Sequence, residues 1–184
     1  MQDLSSLLEQ LYEQRPVGWD HLPDFALYMD QVLNYMDHQV IRFDEDDSLT
    51  AAMVNNYTKS GLVPRAKGKK YDRDHLAYLT VICVLKHVMS TRDMDLLIRE
   101  ELQGERSIPD SYEAFRESLD SALNRTAYEI SERGEDDSLA DAAIHFALLS
   151  YAAGVASNRY VAMLRQKKEE EQPVQTKKSK KEND

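Results

Sequence analysis

The sequence predicts a mainly α protein, and three observations carry that expectation. Hydrophobic residues make up 42% of the 184 positions and recur at helical spacing in most stretches. Only six glycines and five prolines interrupt the chain. A single cysteine, Cys83, rules out a disulfide framework and lies within the apolar run "LAYLTVICVLKHVM".

"QDLSSLLEQLYEQRP" places Leu4, Leu7, Leu8 and Leu11 on one face ahead of Pro16, which predicts a short amphipathic helix packing as an N-terminal arm. "LPDFALYMDQVLNYMDHQVIRF" keeps Leu27, Val32, Tyr35, Met36 and Val40 apolar and predicts a second helix ending near the acidic turn "DEDD". Ser48 is the expected cap of a third helix, 49–60, closed by the left-handed conformation that Gly61 offers. "LVPRAKGKKYD" then reads as a short hairpin or extended loop, a wing.

Asp74 is the expected cap of a core helix, "HLAYLTVICVLKHVM", and Ser90 or Thr91 of the next, "RDMDLLIREEL". Tyr112, Phe115, Leu119, Leu123, Ala127 and Ile130 form the stripe of an amphipathic helix that opens after Pro109 and closes at Gly134. Between Ala142 and Ala156 the chain is apolar nearly all round, so that helix is expected to be buried in a bundle or in a subunit interface. His145 within it reads as a packed core residue, and the final charged stretch has no apolar periodicity. The corresponding organisation is an N-terminal helical arm at 1–18, a winged helix-turn-helix domain at 19–104, a C-terminal helical bundle and dimerisation region at 105–166, and a disordered charged tail at 167–184.

The net charge of −10 conceals an uneven distribution. Residues 1–48 carry two basic and eleven acidic side chains, residues 49–92 eight basic and two acidic, and residues 93–184 thirteen basic and twenty acidic. Local field decides what a surface attracts, so the positive island at 49–92 matters more than the total. A nucleophile with its base, a metal cluster and a phosphate-cradling loop are all sought by spacing, and none is found. The five histidines are scattered, and the carboxylate runs at 44–47 and 135–137 precede helix starts, where negative charge complements the helix dipole. A catalytic site, a metal and a cofactor are therefore not expected. The longest hydrophobic stretch, "AAIHFALLSYAAGVAS", is shorter than a bilayer span needs, and no signal-like segment opens the chain. The expectation is a soluble cytoplasmic protein that does not enter a membrane.

Helix, turn, capped helix, basic wing and core helix, in that order, are the plan of a winged helix-turn-helix. "MVNNYTKSGLVPRAKGKKYDRDHLAYLTVICVLKHVMSTRDMDLLI" resembles the DNA-binding domain of MerR-type regulators. Tyr57, Gly61, Leu62, Val63 and Pro64 match that family's turn after the recognition helix, Lys69 and Lys70 fall at its wing arginine, and Tyr71 matches its wing tyrosine. Asn55 and Asn56 stand where the family usually carries an arginine and often a second tyrosine. Asparagine can read adenine by paired hydrogen bonds or contact phosphate. With "LPDFALYMDQVLNYM" included, the chain more closely resembles a bacterial family designated only as a domain of unknown function, whose members share this MerR-like segment.

The resemblance implies a transcription-regulator-like protein that binds double-stranded DNA, with helix 49–60 in the major groove and the wing on adjacent phosphates. Lys59, Arg65, Lys67, Lys69, Lys70 and Arg73 would neutralise phosphates, Tyr57 and Tyr71 would pack or donate to the backbone, and Asn55 and Asn56 would face bases. The C-terminal helices would join two copies as a homodimer. The alternative is a protein-interaction module on the same scaffold, its basic wing docking an acidic partner or the chain's own acidic N-terminal segment.

Overall fold

Seven α-helices account for most of the described residues, which are 4–42, 47–102, 104–133 and 138–171 of a computed structural model. They are α1 (Leu4–Glu13), α2 (Met29–Met36), α3 (Ala51–Ser60), α4 (Arg73–Leu85), α5 (Thr91–Glu101), α6 (Ile108–Arg133) and α7 (Leu139–Glu171), with one 3-10 turn at Trp19–His21. The chain divides into two compact units, Met1–Leu139 and Ala140–Asp184.

In the first unit α4 is the centre, because every residue from His75 to Cys83 is buried. Its apolar sequence can be satisfied only by neighbours on all sides, and α2, α5 and α6 supply them. Tyr78, fully enclosed, donates its hydroxyl to the Leu102 carbonyl at 3.2 Å and so ties α4 to the end of α5. The arm α1 packs along α6. Arg15 pairs with Asp120 at 2.9 Å and Arg116 donates to the Pro16 carbonyl at 3.0 Å, holding the chain after α1 against that helix. The Tyr112 hydroxyl donates to the Val17 carbonyl at 2.9 Å, and the ring meets Trp19 edge-on at 6.2 Å.

Several helix starts differ from the sequence expectation, each for a local reason. α3 is capped by Thr50 rather than Ser48, since Thr50 has the extended backbone a cap requires and its hydroxyl accepts from the Met53 amide at 3.2 Å. α4 is capped by Asp72, whose carboxylate accepts from the His75 amide at 3.4 Å, while Asp74 lies in the first helical turn. Ser90 caps α5 as expected. α6 begins before Pro109, not after it, because Ser107 accepts from the Asp110 amide at 3.2 Å. Its expected closure at Gly134 lies outside the described residues. The stripe along α6 is borne out, with Tyr112, Ala127 and Ile130 buried.

The second helix is much shorter than the pattern suggests. Leu22–Tyr28 is not helical: Leu27 exchanges two backbone hydrogen bonds with Tyr71, at 2.8 and 2.9 Å, which fixes that segment in extended form. At its other end α2 stops at Met36, short of the acidic turn, so positions 37–50 separate it from α3, where a helix-turn-helix usually has about three to four residues. Of the acidic turn, 44–46 lie outside the described residues, as do 135–137. Asp47, expected to complement a helix dipole, instead receives Lys86 Nζ at 2.6 Å and His87 Nε2 at 2.9 Å, pinning the chain before α3 to the end of α4.

No strand occurs among the described residues; the 64–72 segment contributes two isolated antiparallel bridges, Leu27 with Tyr71 and Lys67 with Lys70. α7 is continuous over 33 residues to Glu171, so 167–171 of the expected disordered tail are helical while 172–184 lie outside the described residues, and none of its apolar window is buried. The expectation that this helix is buried is not met within one chain: among its described residues only Val161 is buried. His145 is half-buried, edge-on to Phe146 at 5.3 Å, and not a core residue. By length and composition alone α7 could also cross a membrane, a possibility the interrupted apolar run did not suggest.

Candidate functional site

The basic island is built on α3 and the turn that follows it. α3 ends in a Schellman motif: the Leu62 amide reaches back to the Tyr57 carbonyl at 2.9 Å, the Gly61 amide to the Thr58 carbonyl at 3.2 Å, and Gly61 takes φ 80°. The motif reverses the chain so that Leu62 and Val63 enter the core, each 1% exposed. Val54 anchors the inner face of α3. Its outer face is Ala52, Asn55, Asn56, Lys59 and Ser60, all exposed and spaced as one helical stripe. Every one of these side chains is small or able to hydrogen-bond, and none is acidic.

Beyond Pro64 the chain extends to a second reversal at Lys67–Lys70, closed by the Lys70 amide on the Lys67 carbonyl at 3.1 Å. Gly68 and Lys69 have φ 60° and 63°, the left-handed pair that a type I′ hairpin turn demands. Glycine adopts this conformation without strain. Lys69 does so at a cost of about 1–2 kcal/mol, which is notable where a glycine would fit.

Together the two reversals enclose an open depression of about 610 Å³ lined by Met29, Ala51, Asn55, Thr58, Lys59, Arg65, Ala66, Lys69 and Tyr71. Three of the expected cations, Lys59, Arg65 and Lys69, thus share one surface with Asn55. No acidic residue is among the described lining residues, although the chain as a whole carries a net charge of −10.

Of the other expected residues, only Tyr71 also lines the depression. Asn56 sits on the outer stripe of α3, outside the depression. Lys67 is exposed, and the Asp72 and Asp74 carboxylates near it partly offset its charge. Lys70 lies over the Tyr28 ring at 5.2 Å. Arg73 is half-buried and covers the Trp19 ring at 5.6 Å, so it faces the protein body rather than the depression. Tyr57 is half-buried on the inner side of α3, its hydroxyl shifted upward by burial and then by nearby Cys83. Tyr71 is buried, its ring edge-on to His75 at 5.4 Å, and it works as the backbone partner of Leu27.

Behind the turn, Asp72 and His75 fix the start of α4 through an Oδ1–Nδ1 contact of 2.5 Å. Burial pushes the Asp72 carboxyl upward, yet the hydrogen bonds and charge of His75 outweigh it and leave the group below its usual range. Asp74 moves the other way, raised by burial and by the negative charge of Asp72. Sequence reasoning missed Met29 and Thr58 in the depression and Tyr28 beneath Lys70. Met29 and Tyr28 arrive through the Leu27–Tyr71 bridge, a contact across 44 residues that leaves no local pattern.

The fold and site define a helical domain with a basic, acid-free face on a short helix and its following turn. The chain belongs to the family described as Domain of unknown function (DUF1836), which matches residues 17–116, more than half of its length. No curated protein and no solved structure matches it.

Proposed function

We propose that this chain is a transcription-regulator-like protein that binds double-stranded DNA through α3 and the turn after it. In this reading the segment is a MerR-like winged helix-turn-helix: α3 enters a major groove with Asn55 and Asn56 toward base edges, and the reversal at Lys67–Lys70 is a small wing on phosphates. The observation that carries the reading is the outer stripe of α3 continuous with a depression holding Lys59, Arg65 and Lys69 and no acidic lining residue. Lys69 adds support, because a strained backbone occupied by a cation in place of glycine is what a surface selected for charge would keep. Arg73, covering Trp19, stands outside the proposed contact set.

The test is duplex binding by fluorescence anisotropy across a salt series. Five exposed cations, Lys59, Arg65, Lys67, Lys69 and Lys70, would give a slope of log affinity against log salt of about −4.5, or a roughly 500-fold loss between 50 and 200 mM. Lys69→Gly separates function from folding: it should leave thermal stability equal or higher while making the slope shallower by about 0.9. Glutamate at Lys67, Lys69 and Lys70 together should weaken binding to all sequences alike. Absence of duplex binding at low salt defeats the reading, and saturable capture of an acidic protein by the same face would favour the interaction-module alternative.

A further inference from the structure

The two asparagines of α3 are neighbours in sequence but differ in setting. Asn55 lines the depression beside Lys59, Arg65 and Lys69, whereas Asn56 stands exposed on the outer stripe beyond it. A phosphate strand held by the three cations would follow the depression, so Asn55 borders that strand and Asn56 lies past it, on the groove side. The hydroxyls nearby are already engaged. Thr58 donates to the Val54 carbonyl at 2.9 Å and Ser60 to the Tyr57 carbonyl at 3.0 Å, which leaves the Asn56 amide to reach outward. Four positions before it on the same stripe stands the exposed Ala52. Side chains so spaced are about 5–6 Å apart, less than two base-pair steps of about 3.4 Å each, so the pair meets neighbouring base pairs. Lysine or arginine would read guanine and a carboxylate cytosine, and this part of the stripe, Ala52, Asn56 and Ser60, carries neither.

We propose that Asn56 reads an adenine and Ala52 the methyl group of a neighbouring thymine, so that this chain selects A·T pairs at the centre of its duplex site. The proposal rests on the DNA-binding reading above and adds the bases that the site selects. Asn56 Nδ2 donates to adenine N7 while its Oδ1 accepts from the adenine N6 amino group. Guanine is rejected there, because its O6 is an acceptor and would face the Asn56 oxygen with no proton between them. Ala52 is small enough to let the helix approach the groove floor, where its own methyl packs on that of thymine. Asn55 donates to the phosphate that Lys59, Arg65 and Lys69 surround, a contact that positions α3 without reading sequence.

The test mixes the full chain with a pool of DNA duplexes randomised at the centre and sequences the bound fraction, which should be enriched in A·T pairs with an adenine next to a thymine. On a selected duplex, 7-deazaadenine in place of that adenine removes the N7 acceptor and should weaken binding about tenfold. Uracil in place of the thymine removes the methyl group and should weaken it about fourfold. Asn56→Ala changes an exposed helical side chain to the best helix former, so folding is kept. This variant should lose about tenfold on the selected duplex and become indifferent to 7-deazaadenine, with its salt slope unchanged. Asn55→Ala should weaken all duplexes alike and keep the sensitivity to 7-deazaadenine. Retained sensitivity in Asn56→Ala, or enrichment of G·C pairs, overturns the proposal. Duplex binding with the expected salt slope but no base preference overturns it alone and leaves the DNA-binding reading standing, whereas no duplex binding at low salt overturns both.

Discussion

Replacing Gly61 with alanine tests how the chain leaves α3. Gly61 sits at φ 80°, where its amide and that of Leu62 close the helix on the carbonyls of Thr58 and Tyr57. A side chain there meets no steric obstacle, for an added Cβ would have the Arg99 guanidinium as its nearest neighbour at 3.7 Å, an ordinary contact. The penalty is thus conformational. Left-handed backbone costs an L-residue about 1–2 kcal/mol, and the smaller freedom of alanine in the unfolded chain returns about 0.4–1 kcal/mol. The net loss is about 1 kcal/mol, which for a chain of this size lowers the midpoint of thermal unfolding by about 2–4 °C. Circular dichroism at 222 nm, followed against temperature and urea for Gly61→Ala, Gly61→Asn and Gly61→Val, gives the order. Asparagine tolerates this backbone best and valine least, so stability should fall from glycine through asparagine and alanine to valine. Alanine at wild-type stability, or asparagine worse than alanine, would refute the Schellman closure and with it the assigned end of α3.

Two further outcomes concern groups behind the site. Asp72→Ala removes the cap of α4 and should cost about 1 kcal/mol at neutral pH. Because the folded state holds the Asp72 carboxyl below its ordinary 3.8, its contribution is fully present above that value and is lost as pH falls through the lower folded value. Urea titrations of the variant and the wild type should therefore converge below about pH 4; a gap unchanged by acid would refute the role of the charge. Burial pushes the Cys83 thiol up to about 11 despite nearby Lys86, so a disulfide reagent at pH 8 should label it slowly in the native protein and at once in urea. Rapid native labelling would show that α4 is not enclosed.

Much of the fold was legible because it rests on local chemistry. The apolar density around Cys83 announced α4 as the central helix, Gly61 announced the end of α3, and Ser90 announced α5. The caps Thr50 and Asp72 were less legible, since Ser48 and Asp74 are equally good capping chemistry two positions away and only backbone conformation chooses between them. The shortened α2 was hidden for a different reason. "LPDFAL" continues an acceptable helical pattern, and what straightens it is pairing with Tyr71, far along the chain.

Of the ten candidate residues, the sequence placed all of them near one reversal of the chain but could not orient them. Asn55, Lys59, Arg65, Lys69 and Tyr71 line the depression together. Arg73, no less basic, turns onto Trp19, and Tyr57 turns toward Cys83. The left-handed pair at Gly68 and Lys69 decides where the lysines around it project, and a propensity for turning does not specify that pair.

By itself, then, the sequence determined the helices with a strong apolar period, the position of the charge island and the glycine that ends α3, because each follows from residues within a turn or two of one another. Tertiary structure alone decided which caps were used, that Leu27 and Tyr71 join the two sides of the site, and that Val161 alone of α7 is buried. These depend on backbone pairing and burial between residues far apart in sequence, which no local pattern encodes.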